Sequence, residues 1–121
     1  MPRAMLIVDD EPDICDCLSS FFSERGFAVQ VAYTGHEALE RLLDAPPDVV
    51  LLDVRLPDVM GLDVLRQAKA LCPCAMVVMV TSVTDFACRQ DALAAGASAY
   101  ILKPFDFSES TWAPVLSQLA A

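Results

Sequence analysis

Basic residues are scarce in this chain. Eight lysines and arginines stand against 17 aspartates and glutamates among 121 residues, a net charge of −9 at pH 7. A surface that acidic repels phosphate backbones, which argues against direct nucleic-acid binding. Long apolar runs are lacking as well. No stretch approaches the ~20 residues that cross a bilayer, and the run from Ala4 to Val8 is too short for a secretion signal. The chain is therefore expected to be soluble and cytoplasmic, with no membrane partner. No glycine precedes Gly26, so the phosphate-gripping loop that a flavodoxin or dinucleotide binder carries after its first strand is missing. Cysteine motifs are missing too. Cys15 and Cys17, like Cys72 and Cys74, stand two apart without the spacer of a zinc knuckle, and Cys88 is left over. An odd thiol count without a secretion signal suits reduced, partly buried cysteines.

Hydrophobic residues are plentiful, at 55% against 21% charged, which excludes a disordered chain. The length suits one domain filling residues 1–121, with no repeat, linker or low-complexity stretch. The pattern along the chain is a regular alternation. Met5 to Val8 is a short apolar run ending in acids, as a strand buried on both faces would be. A helix follows from Pro12, with Ile14, Leu18, Phe21 and Phe22 on one stripe, and stops at Gly26. Ala28 to Ala32 reads as a second strand, and Thr34-Gly35 opens a second helix that ends before Pro46-Pro47. Val49 to Leu52 is the purest buried strand and leads straight into Asp53. A helix from Leu62 to Ala70, a strand from Met76 to Val80, a helix from Asp85 to Ala95 and a strand from Tyr100 to Leu102 complete the alternation.

Pro114 is tolerated only in a first helical turn. The last helix is therefore expected to be short and atypical, starting near Ser110 or Thr111 and covering about 110–120. Trp112 on it reads as a packing residue. Five strands, each apolar throughout and separated by helices, imply an α/β fold: a doubly wound, five-stranded parallel sheet with helices on both faces.

In such a sheet, ligands bind outside the carboxyl ends of the strands. Asp9, Asp10 and Glu11 follow the first strand, Asp53 the third, Thr81 and Ser82 the fourth, and Lys103 and Pro104 the fifth. Crowded carboxylates repel one another unless a cation intervenes. A hard divalent ion such as Mg²⁺ resolves this, taking one or two carboxylates together with water and phosphate oxygens. Lys103 can hold a phosphoryl oxygen and Thr81 can donate to another. Asp53, at the end of the most apolar strand, is the candidate nucleophile for an acyl phosphate. Taken singly, Thr81 reads equally as a helix cap and Lys103 as a surface lysine, while Asp13 and Asp16 suit a solvated first helical turn. His36, the lone histidine, reads as a plain surface residue.

These residues resemble the receiver domain of bacterial two-component response regulators. The resemblance runs from Met5 to about Phe107. It is carried by Leu-Ile-Val-Asp9-Asp10-Glu11-Pro12, by Gly35-His-Glu-Ala-Leu39, and by Asp48-Val-Val-Leu-Leu-Asp53 with Pro57 and Gly61. Val80-Thr81-Ser82 and Gly96-Ala-Ser-Ala-Tyr100 with Lys103-Pro104-Phe105 complete it. It implies a flavodoxin-like strand order 2-1-3-4-5 and a signalling switch. Asp53 would accept a phosphoryl group from a sensor histidine kinase or phosphotransfer protein. Asp10, Asp53 and the Arg55 carbonyl would hold Mg²⁺, with Asp9 acting through water. Lys103 would pair with the phosphorylated aspartate, and Lys103-Pro104 would be cis. Thr81 and Tyr100 would form a switch pair that remodels the face of helix four, strand five and helix five. That face would then control an effector domain or a homodimer.

Several positions depart from the family's pattern. Ser82 replaces a usually smaller residue and is expected to narrow access to the phosphoryl group. Arg55 and Val83 are expected to slow attacking water, and helix five lacks the basic residues of relatives that dimerise there. The resemblance makes the domain no enzyme beyond its own phosphotransfer and slow autodephosphorylation. Two other readings stay open: a degenerate receiver that acts by contact alone, and a haloacid-dehalogenase-like phosphatase. The latter needs a second acid where Arg55 stands.

Overall fold

The structure, a computed structural model, describes residues 3–119. Its five strands are β1 (Arg3–Val8), β2 (Phe27–Ala32), β3 (Val49–Leu52), β4 (Met76–Thr81) and β5 (Ala99–Leu102). They form one parallel sheet in the order β2-β1-β3-β4-β5. The helices between them are α1 (Pro12–Glu24), α2 (Gly35–Asp44), α3 (Gly61–Leu71), α4 (Phe86–Ala94) and α5 (Glu109–Leu116). This is the doubly wound α/β arrangement expected from the apolar runs. None of the described helices is long and apolar enough to cross a membrane.

Strand alternation divides the core in two. Leu6, Val8, Val50, Leu52, Val77 and Met79 pack with Ala38 and Leu42 of α2, with Val64, Leu65 and Ala68 of α3, and with Ala92 of α4. Met5, Ile7, Val49, Leu51, Val78 and Val80 pack with Leu18 and Phe22 of α1 and with Trp112 and Val115 of α5. Trp112 is fully buried. Its ring meets Phe22 and Phe105 edge-on, each with centroids 5.2 Å apart. Its indole N–H donates to the Asp106 carbonyl at 2.7 Å, so it packs as expected and its one polar atom is satisfied.

The last helix corrects the sequence reading. It begins at Glu109, not at Ser110 or Thr111, so Pro114 lies in its interior rather than its first turn. Two features offset the missing proline N–H. Ser108 caps the helix by accepting the Thr111 N–H, and the Asp106 carboxylate holds the Ser108 and Thr111 hydroxyls, each at 2.7 Å. Trp112 and Val115 then anchor the inner face against the sheet. The Ser110 carbonyl loses its helical donor to Pro114, but Ser110 is exposed, so water can take the donor's place.

Strand register decides which side chains meet at the end of the sheet. Val8 lies level with Leu52, so the chain leaves β1 and β3 at the same height. The Asp53 N–H continues the ladder to the Val8 carbonyl at 3.0 Å. Thr81 pairs with Leu102, and the Lys103 N–H bonds the Thr81 carbonyl at 2.8 Å. The four strand ends that carry polar residues are thereby brought to one edge.

Candidate functional site

Lys103 is the centre of this edge. Its ammonium lies 2.7 Å from Asp9 Oδ2, 3.0 Å from Asp53 Oδ2 and 3.4 Å from Glu11 Oε1. Asp9 and Asp53 are buried, whereas Asp10 and Glu11 stand at the rim. Each buried carboxylate is also oriented by backbone: the Glu11 N–H donates to Asp9 Oδ1 at 2.9 Å, and the Arg55 N–H to Asp53 Oδ1 at 3.3 Å. Burial raises the Asp9 carboxyl above its ordinary range, against the pull of its hydrogen bond from Lys103. Burial alone would lower Lys103, but its hydrogen bonds to Asp9 and Asp53 prevail and raise it. The lysine stays charged, and the acids about it are only partly neutralised.

Asp9, Asp10, Glu11 and Asp53 each offer an oxygen, all within 4.8 Å of one another. Four carboxylates face one ammonium, so the pocket favours a further cation, and an all-oxygen donor set suits a hard divalent ion. The residues present therefore fit Mg²⁺.

The loop after Asp53 is tightly built. Arg55 and Met60 form an isolated antiparallel bridge, and the Gly61 N–H bonds the Val54 carbonyl at 2.6 Å. A Cβ on Gly61 would lie 2.0 Å from the Asp53 carbonyl oxygen, so only glycine allows α3 to start this close to the strand end. The Arg55 side chain is exposed, and Arg55 meets Asp53 through its backbone.

Thr81 is completely buried, and its Oγ1 accepts the Val83 N–H at 3.2 Å. It does not cap α4; Asp85 does, by accepting the Ala87 N–H at 2.9 Å. The Tyr100 hydroxyl donates to the Val83 carbonyl at 2.8 Å and lies 3.6 Å from Cys88 Sγ. Burial, and next the Cys88 thiol, raise the Tyr100 hydroxyl's pKa. Val83 thus joins the two expected switch residues through its own backbone, bonding Thr81 by its N–H and Tyr100 by its carbonyl. Sequence reasoning named Val83 only as a neighbour of the phosphoryl group and missed this link. Lys103-Pro104 is cis, as the resemblance implied.

All five cysteines are free thiols. Cys15 lies beneath the pocket and donates to the Asp9 carbonyl at 3.3 Å. Burial, and then the nearby Asp9 charge, push its thiol up to about 12. His36 is exposed as expected, but its Nδ1 meets the carboxylate of Asp58. Asp58 was not singled out from the sequence.

Comparison with known proteins identifies the family and the fold. The family model of the response regulator receiver domain matches residues 5–112. The transcriptional regulatory protein KdpE of Mycobacterium tuberculosis is 41% identical over 105 residues, 87% of this chain and 46% of KdpE. This chain spans less than half the length of the first curated relatives it matches. A CheY-like receiver domain protein from Methanospirillum hungatei superposes with a TM-score of 0.87 at 30% identity, covering 99% of this chain and 92% of that one. The BeF3-activated DrrB receiver domain superposes with a TM-score of 0.83 at 28% identity, covering 99% and 96%.

Proposed function

This chain belongs to the response regulator receiver domain family, and we propose that it is a switch thrown by phosphorylation of Asp53. The observation that carries the reading is the convergence of Asp9, Asp53 and Lys103 at 2.7 and 3.0 Å, with Thr81 ending the adjacent strand. An Asp53 carboxylate oxygen attacks the phosphorus of a phosphohistidine on a sensor kinase or phosphotransfer protein. The P–N bond breaks, its electron pair returns to the imidazole, and Asp53 becomes an acyl phosphate.

Asp10, Asp53 and the Arg55 carbonyl would hold Mg²⁺, with Asp9 acting through water. When bound, the ion offsets the negative charge gathered by the acids and the phosphoryl oxygens. Lys103 exchanges an Asp53 carboxylate oxygen for a phosphoryl oxygen and keeps Asp9 as its second partner. The Thr81 hydroxyl turns from the Val83 N–H to the phosphoryl group. Freeing that N–H disturbs the peptide to which Tyr100 is bonded, and so biases the face of α4, β5 and α5. That face acts on an effector domain or on a second copy of the chain.

Arg55 and Val83 flank the acyl phosphate and slow its attack by water, while Ser82 narrows the approach. The complete set of acids, Thr81 and Lys103 supports phosphoryl acceptance over action by contact alone. The kinship with transcriptional regulators supports a role in signalling rather than metabolism.

Intact mass after incubation with acetyl phosphate and Mg²⁺ tests this. One phosphoryl group should be gained by the unaltered chain and none by Asp53→Asn. An unmodified wild-type chain, or an adduct that persists in Asp53→Asn, contradicts the proposal.

A further inference from the structure

The segment after Asp53 is a small hairpin pinned at both ends. Its base is closed by the Arg55–Met60 bridge and the Gly61-to-Val54 hydrogen bond. Its tip carries Asp58, whose carboxylate crosses to the start of α2. There Asp58 Oδ1 accepts the Gly35 N–H at 2.8 Å, and Oδ2 accepts the His36 N–H at 2.9 Å. The same carboxylate meets the His36 ring and takes the Val59 N–H at 3.0 Å.

Partial burial works against ionisation of Asp58, but the Gly35 and His36 backbone donors, and next the His36 ring, outweigh it. They hold the Asp58 carboxyl well below the usual carboxylate range. A helix N-terminus favours an anion, since its first N–H groups have no helical acceptor. Gly35 is in contact with the hairpin as well. A Cβ there would lie 2.1 Å from Val59 Cγ2. Tip and helix are therefore packed together as well as hydrogen-bonded.

Ordinary capping of α2 does not require this clamp. Thr34 already caps the helix, its Oγ1 accepting the Glu37 N–H at 3.1 Å. What Asp58 adds is a tie between α2 and the loop that carries Arg55, three residues away across Leu56 and Pro57.

We propose that Asp58 is a positioning residue for Mg²⁺: by clamping the hairpin tip to α2 it fixes the Arg55 backbone, and so sets the affinity of the pocket for the ion. This rests on the reading that the Arg55 carbonyl is a ligand. Groups that orient a ligand without touching the metal commonly govern affinity by about ten- to hundred-fold. Asp58 acts through the backbone over three residues, so its effect belongs at the low end of that range.

The test is calorimetric titration of the unphosphorylated full chain with MgCl₂, alongside thermal unfolding without the ion. Asp58→Ala should weaken Mg²⁺ binding about tenfold. At saturating Mg²⁺, its limiting rate of phosphorylation by acetyl phosphate should stay within about twofold of the unaltered chain. Asp58→Asn and His36→Gln remove part of the clamp at the surface and should give smaller losses of the same kind. Thr34→Ala should lower the unfolding temperature and leave Mg²⁺ affinity unchanged. The proposal is overturned if Asp58→Ala binds Mg²⁺ like the unaltered chain. It is equally overturned if Thr34→Ala weakens binding as much, because the clamp would then be a helix cap and no more. Failure of the unaltered chain to bind Mg²⁺ would instead sink the metal reading on which the proposal stands.

Discussion

The pocket edge of the sheet and the face formed by α4 and β5 are held in different ways. At the pocket, Asp9 and Asp53 are buried, each is oriented by a backbone N–H, and both bond one lysine. At the other face, α4 buries one residue of its nine, Ala92, and β5 buries only Ile101. Phe86 opens α4 with 72% of its surface exposed, and Leu102 ends β5 exposed. Few buried contacts mean a low cost of local rearrangement. The difference suits the two tasks of the proposed switch, in which the rigid end would receive the phosphoryl group and the loosely packed face would change in response. Val83 lies between them and is bonded to both.

Three substitutions can break or sharpen that contrast. Gly61→Ala drives a methyl group into the Asp53 carbonyl. It should destabilise the chain by about 3 kcal/mol in urea unfolding, because backbone, not a flexible side chain, must give way. A loss below about 1 kcal/mol would mean that the pocket loop is as yielding as α4.

Asp9→Asn should act in the opposite direction. Burial raises the Asp9 carboxyl, so the native state holds its proton more tightly than the unfolded chain. The stability linked to that proton is complete below the unfolded value of 3.8 and is lost as pH rises through the raised value. Removing the charge should therefore stabilise the protein at pH 7, by about 1 kcal/mol. The gain should shrink as pH falls towards about 4, while Mg²⁺ affinity drops. A variant less stable than wild type at pH 7 would show that the Lys103 pairing outweighs desolvation.

Phe86→Ser should have the smallest effect, within about 0.5 kcal/mol, since the ring is mostly in water. A larger loss would place Phe86 in a packed region and remove half of the contrast.

The pocket was legible in the sequence for a simple reason. Asp9, Asp53, Thr81 and Lys103 each end or follow an apolar run, and parallel strands bring such ends to one edge. Trp112 was readable as packing because an indole on a short apolar helix has few other places to go. Two features were hidden. Asp58 meets His36 across 22 residues of chain, and no spacing or periodicity in the sequence relates a loop tip to a helix start. Glu11 stands beside Asp9 and Asp10 in the sequence, but its reach of 3.4 Å to Lys103 depends on the turn into α1. The start of α5 was misjudged because the proline rule was applied alone. In the fold, the Asp106, Ser108 and Thr111 cap and the buried Trp112 and Val115 together outweigh one missing hydrogen bond.

The coupling of pocket to face is tested most directly by amide hydrogen exchange, with and without acetyl phosphate and Mg²⁺, in the unaltered chain and in Asp53→Asn. Phosphorylation should alter protection in α4 and β5 more than in the interior of β1 and β3, and Asp53→Asn should show no such change. Protection that changes equally across the sheet, or not at all in α4 and β5 once the phosphoryl group is on Asp53, would contradict a switch built from a rigid pocket and a yielding face.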